Sequence, residues 1–208
     1  AFLALKKLKT EEQKIYMKLA DISKKNECDD LLEESLKAFE SVDILVNNAG
    51  IIGPKGNFEN CSWNEWRNTI ETNLFGSAYL IKSFLPSFKK NNYGRIIQIS
   101  GGGATSPMPN VSAYSASKAG IVRFIETIAV ELEKFNITAN CIAPGALNTK
   151  MLEEYLEAGP EKLGEELYKK VLAQKKNGGA PIEKAVKLSV ALASENYPKL
   201  KGKLISLL

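Results

Sequence analysis

Tyr114 and Lys118 stand four positions apart in the stretch "SAYSASKAG", residues 112 to 120. On a helix that spacing puts both side chains on one face, one turn apart. A lysine ammonium beside a phenol favours tyrosinate and lowers a pKa that is ordinarily about 10. A tyrosine tuned in this way can exchange a proton with an alcohol or a carbonyl oxygen. The spacing alone is weak grounds, because it recurs at Tyr197 and Lys201, where Pro198 opposes a shared helical face.

The rest of the chemical inventory narrows the choice. The chain has no histidine, which removes Ser-His and Cys-His nucleophile pairs and His-ligated metal, and no metal site is expected. Proton transfer falls to Tyr, Lys, Asp, Glu or Cys. Upstream of Tyr114 a strand ends in Ser100 and runs into "GGGATSPMPNVSAY", too rich in glycine and proline for a helix and long enough to fold back beside the tyrosine. A hydroxyl there can hold a substrate oxygen, and Ser100 is the first choice, with Thr105 and Ser112 as alternatives. Pro107 and Pro109 argue against a helix starting straight after Gly101 to Gly103, so the triplet reads as a hinge in a substrate loop and not as a phosphate cradle.

These residues need a frame, and the patterning supplies one. Apolar β-branched runs at 43–50, 95–100, 137–145 and 202–208 read as strands, with "KIYMKLADIS" at 14–23 as an earlier one ending near Asp21. Between them lie helical patterns at about 28–40, 63–90, 112–135 and 181–195, the third with Ile121, Ile125, Ile128 and Leu132 at helical spacing. Alternation of this kind predicts an α/β fold, a Rossmann-like doubly wound parallel sheet flanked by helices, in one domain over 1–208. Ligands of such sheets collect at the carboxyl ends of the strands, so the loops after residues 21, 47, 100 and 143 should share a rim. The polar stretch 148–180 reads as a helical insertion beside the substrate, and the mixed, charged run from Leu147 to Lys170 has the character of either a lid or a plain surface helix.

Four ordered segments, "ADIS", "VNNAG", "SAYSASKAG" and "APGALNT", together with "ETNLFGSAYL", resemble the short-chain dehydrogenase/reductase family from Asp21 to Leu208. The resemblance implies hydride transfer between a nicotinamide cofactor, NAD or NADP, and the hydroxyl or keto carbon of a small-molecule alcohol or carbonyl substrate. It makes Tyr114 the acid/base, Lys118 its partner and a ligand of the nicotinamide ribose, Ser100 the substrate-oxygen partner, and Asn73 the holder of a water in the proton relay. It also assigns Asp21, with Ile22 beside it, to the adenine side, Asn48, Ala49 and Gly50 to the adenine-ribose side, and Pro144, Gly145, Leu147 and Thr149 to the nicotinamide carboxamide. Plainer roles stand beside two of these: Asn73 as a buried cap of backbone groups, Asp21 as an ordinary helix cap.

Two departures from the family pattern matter. The serine expected 13 residues before the tyrosine is Gly101, and Ser100 is one residue early, although "SGGGAT" looks like a variant that occurs in the family. The family's opening strand and its TGxxxGxG turn, which seats the pyrophosphate at a helix N-terminus, have no counterpart in these residues, so a missing first βα unit is expected. The competing reading is therefore a non-catalytic or truncated relative with impaired cofactor binding.

Composition closes off other classes. The formal charge of +4 comes from 28 basic and 24 acidic residues interspersed along the chain, without the clustered basic stripe of a nucleic-acid site. Cys28, Cys61 and Cys141 are widely spaced and odd in number, which fits reduced thiols and a cytoplasmic location, with Cys141 as a small core residue. No run approaches a membrane span. By the resemblance, the helices of Asn73 and Tyr114 pair across a two-fold axis in a homodimer or homotetramer, and the small residues Ala116, Ala119 and Gly120 permit close packing either within the subunit or across that interface.

Overall fold

The computed structural model describes residues 2–207, with side chains from Leu5 onward. Four strands, β1 (Ile44–Asn47), β2 (Gly94–Ile99), β3 (Ile137–Ala143) and β4 (Leu204–Ser206), form one parallel sheet in the order β1-β2-β3-β4. The helices are α1 (Phe2–Leu8), α2 (Lys25–Ala38), α3 (Trp63–Ile70), α4 (Ser77–Asn91), α5 (Ser112–Glu131), α6 (Lys150–Leu163), α7 (Glu165–Asn177) and α8 (Ile182–Ala193).

The central strands carry no polar–apolar alternation because both of their faces are covered. All seven residues of β3 are buried, as a parallel strand between two helical layers requires. Side-chain alternation then divides the core. Ile96 of β2 packs with Phe84, Phe88 and Ile125 from α4 and α5, whereas its neighbour Ile97 packs with Ile142 and Leu192 of α8 on the opposite face. Arg95 is buried beneath the sheet, where Nη1 donates to the carbonyls of Gly94 and Asn136. No helix among the described residues is long and apolar enough to cross a membrane.

Two expectations change. Residues 14–20 form no strand, because an extended run becomes a strand only against a ladder partner and the described sheet offers it none. That segment lies instead along α2, where Lys18 Nζ donates to Glu34 Oε1 at 2.6 Å and Tyr16 also reaches Glu34. The helix expected over 63–90 is broken by a π-helical segment, Glu71–Gly76, which carries Asn73; single π turns inside helices commonly occur at functional sites. The insertion at 148–180 is helical, as expected, and forms α6 and α7. The other strands and helices match within a few residues, apart from Leu208, which lies outside the described residues.

Candidate active site

Tyr114 and Lys118 lie on the inward face of α5, 7% and 3% exposed. Lys118 Nζ donates to the carbonyl of Ile99, the last residue of β2, at 3.0 Å and stands 5.7 Å from the centre of the Tyr114 ring. Desolvation lowers the Lys118 pKa to about 8. Burial raises that of Tyr114. Burial thus moves the phenol in the direction opposite to the one that simple spacing suggests, while the Lys118 ammonium sits by the ring and the Ile99 carbonyl.

Asn73 is fully buried. Its Nδ2 donates to the Ile51 carbonyl at 2.8 Å and to Ser117 Oγ at 2.9 Å, and its Oδ1 accepts from the Ile51 N–H at 2.8 Å. Ser117 Oγ in turn donates to the Tyr114 carbonyl at 2.7 Å. Thus one amide ties the loop after β1 to the helix of Tyr114 and Lys118. Sequence reasoning passed over Ser117, whose signal was its position next to Lys118 on the inward face of α5.

Gly50 stands where these groups meet. A β-carbon there would lie 3.3 Å from Asn73 Oδ1 and 3.4 Å from Lys118 Nζ, so the absence of a side chain lets the backbone come close to an amide oxygen and an ammonium. Gly50, expected on the adenine-ribose side, thus lies beside Lys118, the residue expected at the nicotinamide ribose. Asn47, at the end of β1, is buried and donates from Nδ2 to the Ser77 carbonyl at 3.1 Å, while Asn48 and Ala49 are exposed beyond it. Across the rim Pro144, Gly145, Leu147 and Thr149 follow β3; Gly145 has φ +85°, and Thr149 leads into α6.

The hydroxyl candidates separate. Ser100 is 4% exposed, and its Oγ has no hydrogen-bond partner among the described residues; a buried hydroxyl of that kind is suited to a ligand. It is Gly101, though, that faces the tyrosine: a β-carbon at 101 would overlap the Tyr114 hydroxyl oxygen and lie 3.2 Å from Cζ. Thr105 is exposed, and Ser112 Oγ accepts from Trp66 Nε1 at 3.2 Å. Asp21 is exposed, and its Oδ1 accepts from the N–H and hydroxyl of Ser23 at 3.0 and 2.7 Å, which lowers its pKa. That is local turn chemistry of the plain kind, although the next residue, Ile22, packs its carbonyl group against Gly76 and so brings this segment to the π turn of Asn73. The second Tyr-x3-Lys pair is structural: Lys201 Nζ donates to the carbonyls of Glu133 and Phe135 at 3.2 and 2.8 Å, closing the end of α5.

The family model described as short chain dehydrogenase matches residues 3–159. The chain belongs to the short-chain dehydrogenase family. That places it among the NAD(P)-dependent oxidoreductases that act on CH–OH and C=O groups, with NAD or NADP as cofactor. It is 35% identical over 144 residues to (2S)-[(R)-hydroxy(phenyl)methyl]succinyl-CoA dehydrogenase subunit BbsD of Thauera aromatica, a match covering 67% of this chain and 55% of that protein. It is 31% identical over 188 residues to D-beta-hydroxybutyrate dehydrogenase of Cupriavidus necator, covering 88% of this chain and 72% of the relative. Among solved structures, YwfH, an NADPH dependent reductase involved in bacilysin biosynthesis, superposes with a TM-score of 0.81 at 25% identity, covering 94% of this chain and 77% of that one.

Proposed function

We propose that these residues form the catalytic and nicotinamide-binding part of an oxidoreductase that interconverts a small-molecule alcohol and its carbonyl compound through a Tyr114, Lys118, Asn73 and Ser100 relay. The observation that carries this is the convergence of Asn73 Oδ1 and Lys118 Nζ on Gly50 beside a buried Tyr114. Gly50, Lys118 and the 144–149 turn would hold the nicotinamide half of the cofactor. When bound, the cofactor supplies the hydride donor or acceptor.

The chain's own groups handle the proton. With its pKa raised by burial, Tyr114 is a neutral phenol, the form that donates to a carbonyl oxygen on reduction. Lys118 stands ready to offset the negative charge left on the phenolate, and Asn73, held by Ile51 and Ser117, fixes the geometry behind it. The Ser100 hydroxyl is the donor available to the substrate oxygen. Away from Lys118, Tyr114 belongs to an apolar cluster with Ile52, Val111, Leu152 and Tyr155, with Met108 packed against it. The groups flanking the reacting carbon are accordingly proposed to be apolar.

The assembly we infer is a homodimer or homotetramer through the outer face of α5 and the π turn, where Ala116 and Ala119 are exposed and Phe75 and Val130 are 60% and 71% exposed. A single domain working in the cytoplasm with reduced thiols completes the reading. The test is titration with NADH and with NADPH, read by energy transfer from Trp63 and Trp66, followed by carbonyl reduction with and without Tyr114→Phe. Saturable binding and turnover that the variant loses by about 10² to 10⁴-fold support it. Binding with no turnover on any carbonyl leaves the non-catalytic reading in its place.

A further inference from the structure

The cover over Tyr114 is α6. Leu152, Tyr155 and Leu163, at 3%, 9% and 1% exposure, pack with Tyr114, Ile52 and Val111 in one cluster. At its base the α6–α7 segment is braced to the 144–149 turn, with the Ala180 N–H donating to the Ala146 carbonyl at 2.8 Å. Apolar packing holds its underside, and such contacts have no direction. The far end lies beyond a break in the helix at Gly159, φ +71°, ahead of Pro160, and is held by something more specific.

Asn110 sits in the left-handed region, φ +66°, immediately before Val111 and the start of α5. Its Nδ2 donates to the Leu163 carbonyl at 2.8 Å, at the C-terminus of α6, and its own carbonyl accepts from the Gly56 N–H at 2.9 Å. The last carbonyls of a helix have no partner within it, so this side chain supplies a donor that α6 lacks. Fit at the contact is close: a β-carbon at Gly164 would lie 2.9 Å from Asn110 Nδ2, and Gly164 itself has φ +75°. One residue thus joins the loop over 53–60, the end of the covering helix and the start of the tyrosine's helix. Asparagine suits the place because it tolerates the left-handed conformation and offers a neutral donor.

We propose that Asn110 is a positioning residue, a latch that holds α6 closed over Tyr114 while substrate is bound. The proposal rests on the oxidoreductase reading for what the closed state does, and on geometry alone for the closure. With the latch intact, Leu163 stays in the apolar cluster that Leu152 and Tyr155 share with Tyr114, and water is kept from the proton-transfer site. Without it, the Leu163 carbonyl is left dry beneath a nearly fully buried residue, and opening α6 to water becomes the way to satisfy it.

The test uses Asn110→Gly, which keeps the left-handed backbone and the carbonyl that Gly56 uses, and Asn110→Asp, which keeps the size but loses the donor. Hydrogen exchange of the amides of α6 is expected to quicken about tenfold in both, by the loss of one hydrogen bond, with β2 and β3 unchanged. In steady state the substrate KM should rise about tenfold with kcat within about twofold, and affinity for NAD(P)H should hold. Unchanged α6 exchange in both variants overturns the latch. So does a general quickening that includes β2 and β3 together with a fall in Tm, which would mark Asn110 as a structural residue. Exchange is read without turnover, so a protein that reduces no carbonyl defeats the enzymatic reading and still shows whether Asn110 holds α6 closed.

Discussion

The Tyr114 hydroxyl occupies the space that a side chain at Gly101 would need, so the glycine and the tyrosine fit as a pair. Gly101 has φ −175° and ψ 177°, an extended backbone open to any residue, and its requirement is therefore one of space. Gly101→Ala should push the phenol out of line with the substrate oxygen. A misplacement of about 1 Å costs about 10²-fold in rate, and this is the fall expected in kcat, with Tm altered little. Steady-state kinetics of the variant at saturating cofactor checks it; unaltered kcat would mean that the hydroxyl works from another position.

Buried Lys118 carries a linkage that can be measured without substrate. Its folded pKa is about 8 against 10.5 in the open chain. Between those values the unfolded chain binds more protons, so the stability of the folded protein rises with pH across that window and the penalty is fully present below it. The slope is about 1.4 kcal/mol per pH unit at most. Lys118→Met should be more stable relative to its parent at pH 7.5 than at pH 9.5, and it should lose turnover at both. Urea unfolding of the two proteins at each pH decides the matter, and parallel pH profiles would show that the lysine is not desolvated as described.

Much of this frame could be read directly from residue types. Helix α5 and strands β2 and β3 were legible because Ile121, Ile125 and Ile128 repeat at helical spacing and the strand runs are β-branched and short. The site was legible through the order of its segments, not through any one spacing, as Lys201 at the end of α5 shows. What could not be read was long-range. Whether residues 14–20 pair depends on a partner strand, and whether Ser100 or position 101 faces the phenol depends on how Gly101 leaves the sheet. Asn110 looked like a loop residue after a proline, since its partners Leu163 and Gly56 lie 53 and 54 positions away.

Ser117 should matter more than a helix serine usually does. Its Oγ accepts from Asn73 Nδ2 and donates to the Tyr114 carbonyl in a place with no exposure. Ser117→Ala leaves one amide hydrogen of Asn73 short of a partner, at a cost of about 1 to 3 kcal/mol. The expected result is a lower Tm together with a fall in kcat, whereas Ser117→Thr should retain more of both if its methyl group is accommodated. Thermal unfolding and kinetics on the same samples give the comparison, and an alanine variant equal to the parent in both would remove Ser117 from the network.

The three thiols should react unequally. Cys28 and Cys141 are 0% and 1% exposed, and burial pushes the Cys141 thiol up to about 12. Alkylation needs a thiolate that reagent can reach. Cys61 is partly exposed, in the loop before α3. Mass spectrometry of the folded protein after brief iodoacetamide treatment should find the label on Cys61 and the other two modified only in denaturant. Early labelling of Cys141 would mean that the packing of β3 against its helices opens readily.

Substrate preference follows from what surrounds Tyr114. The cluster about the phenol is built of Ile52, Met108, Val111, Leu152 and Tyr155, and Lys55, in the loop after β1, is paired at 3.9 Å with Glu154 on the covering helix. A carboxylate close to the reacting carbon would lie against those apolar walls, and an unpaired buried charge costs several kcal/mol. Ketones flanked by alkyl or aryl groups should therefore be reduced with a higher kcat/KM than acetoacetate, by at least about tenfold on the scale of 1.4 kcal/mol per decade. Methionine at 108 adapts to varied shapes, so Met108→Lys offers the converse test: it should lower kcat/KM for the apolar ketones and raise it for the keto acid. A parent protein that favours acetoacetate would overturn the apolar reading of these walls.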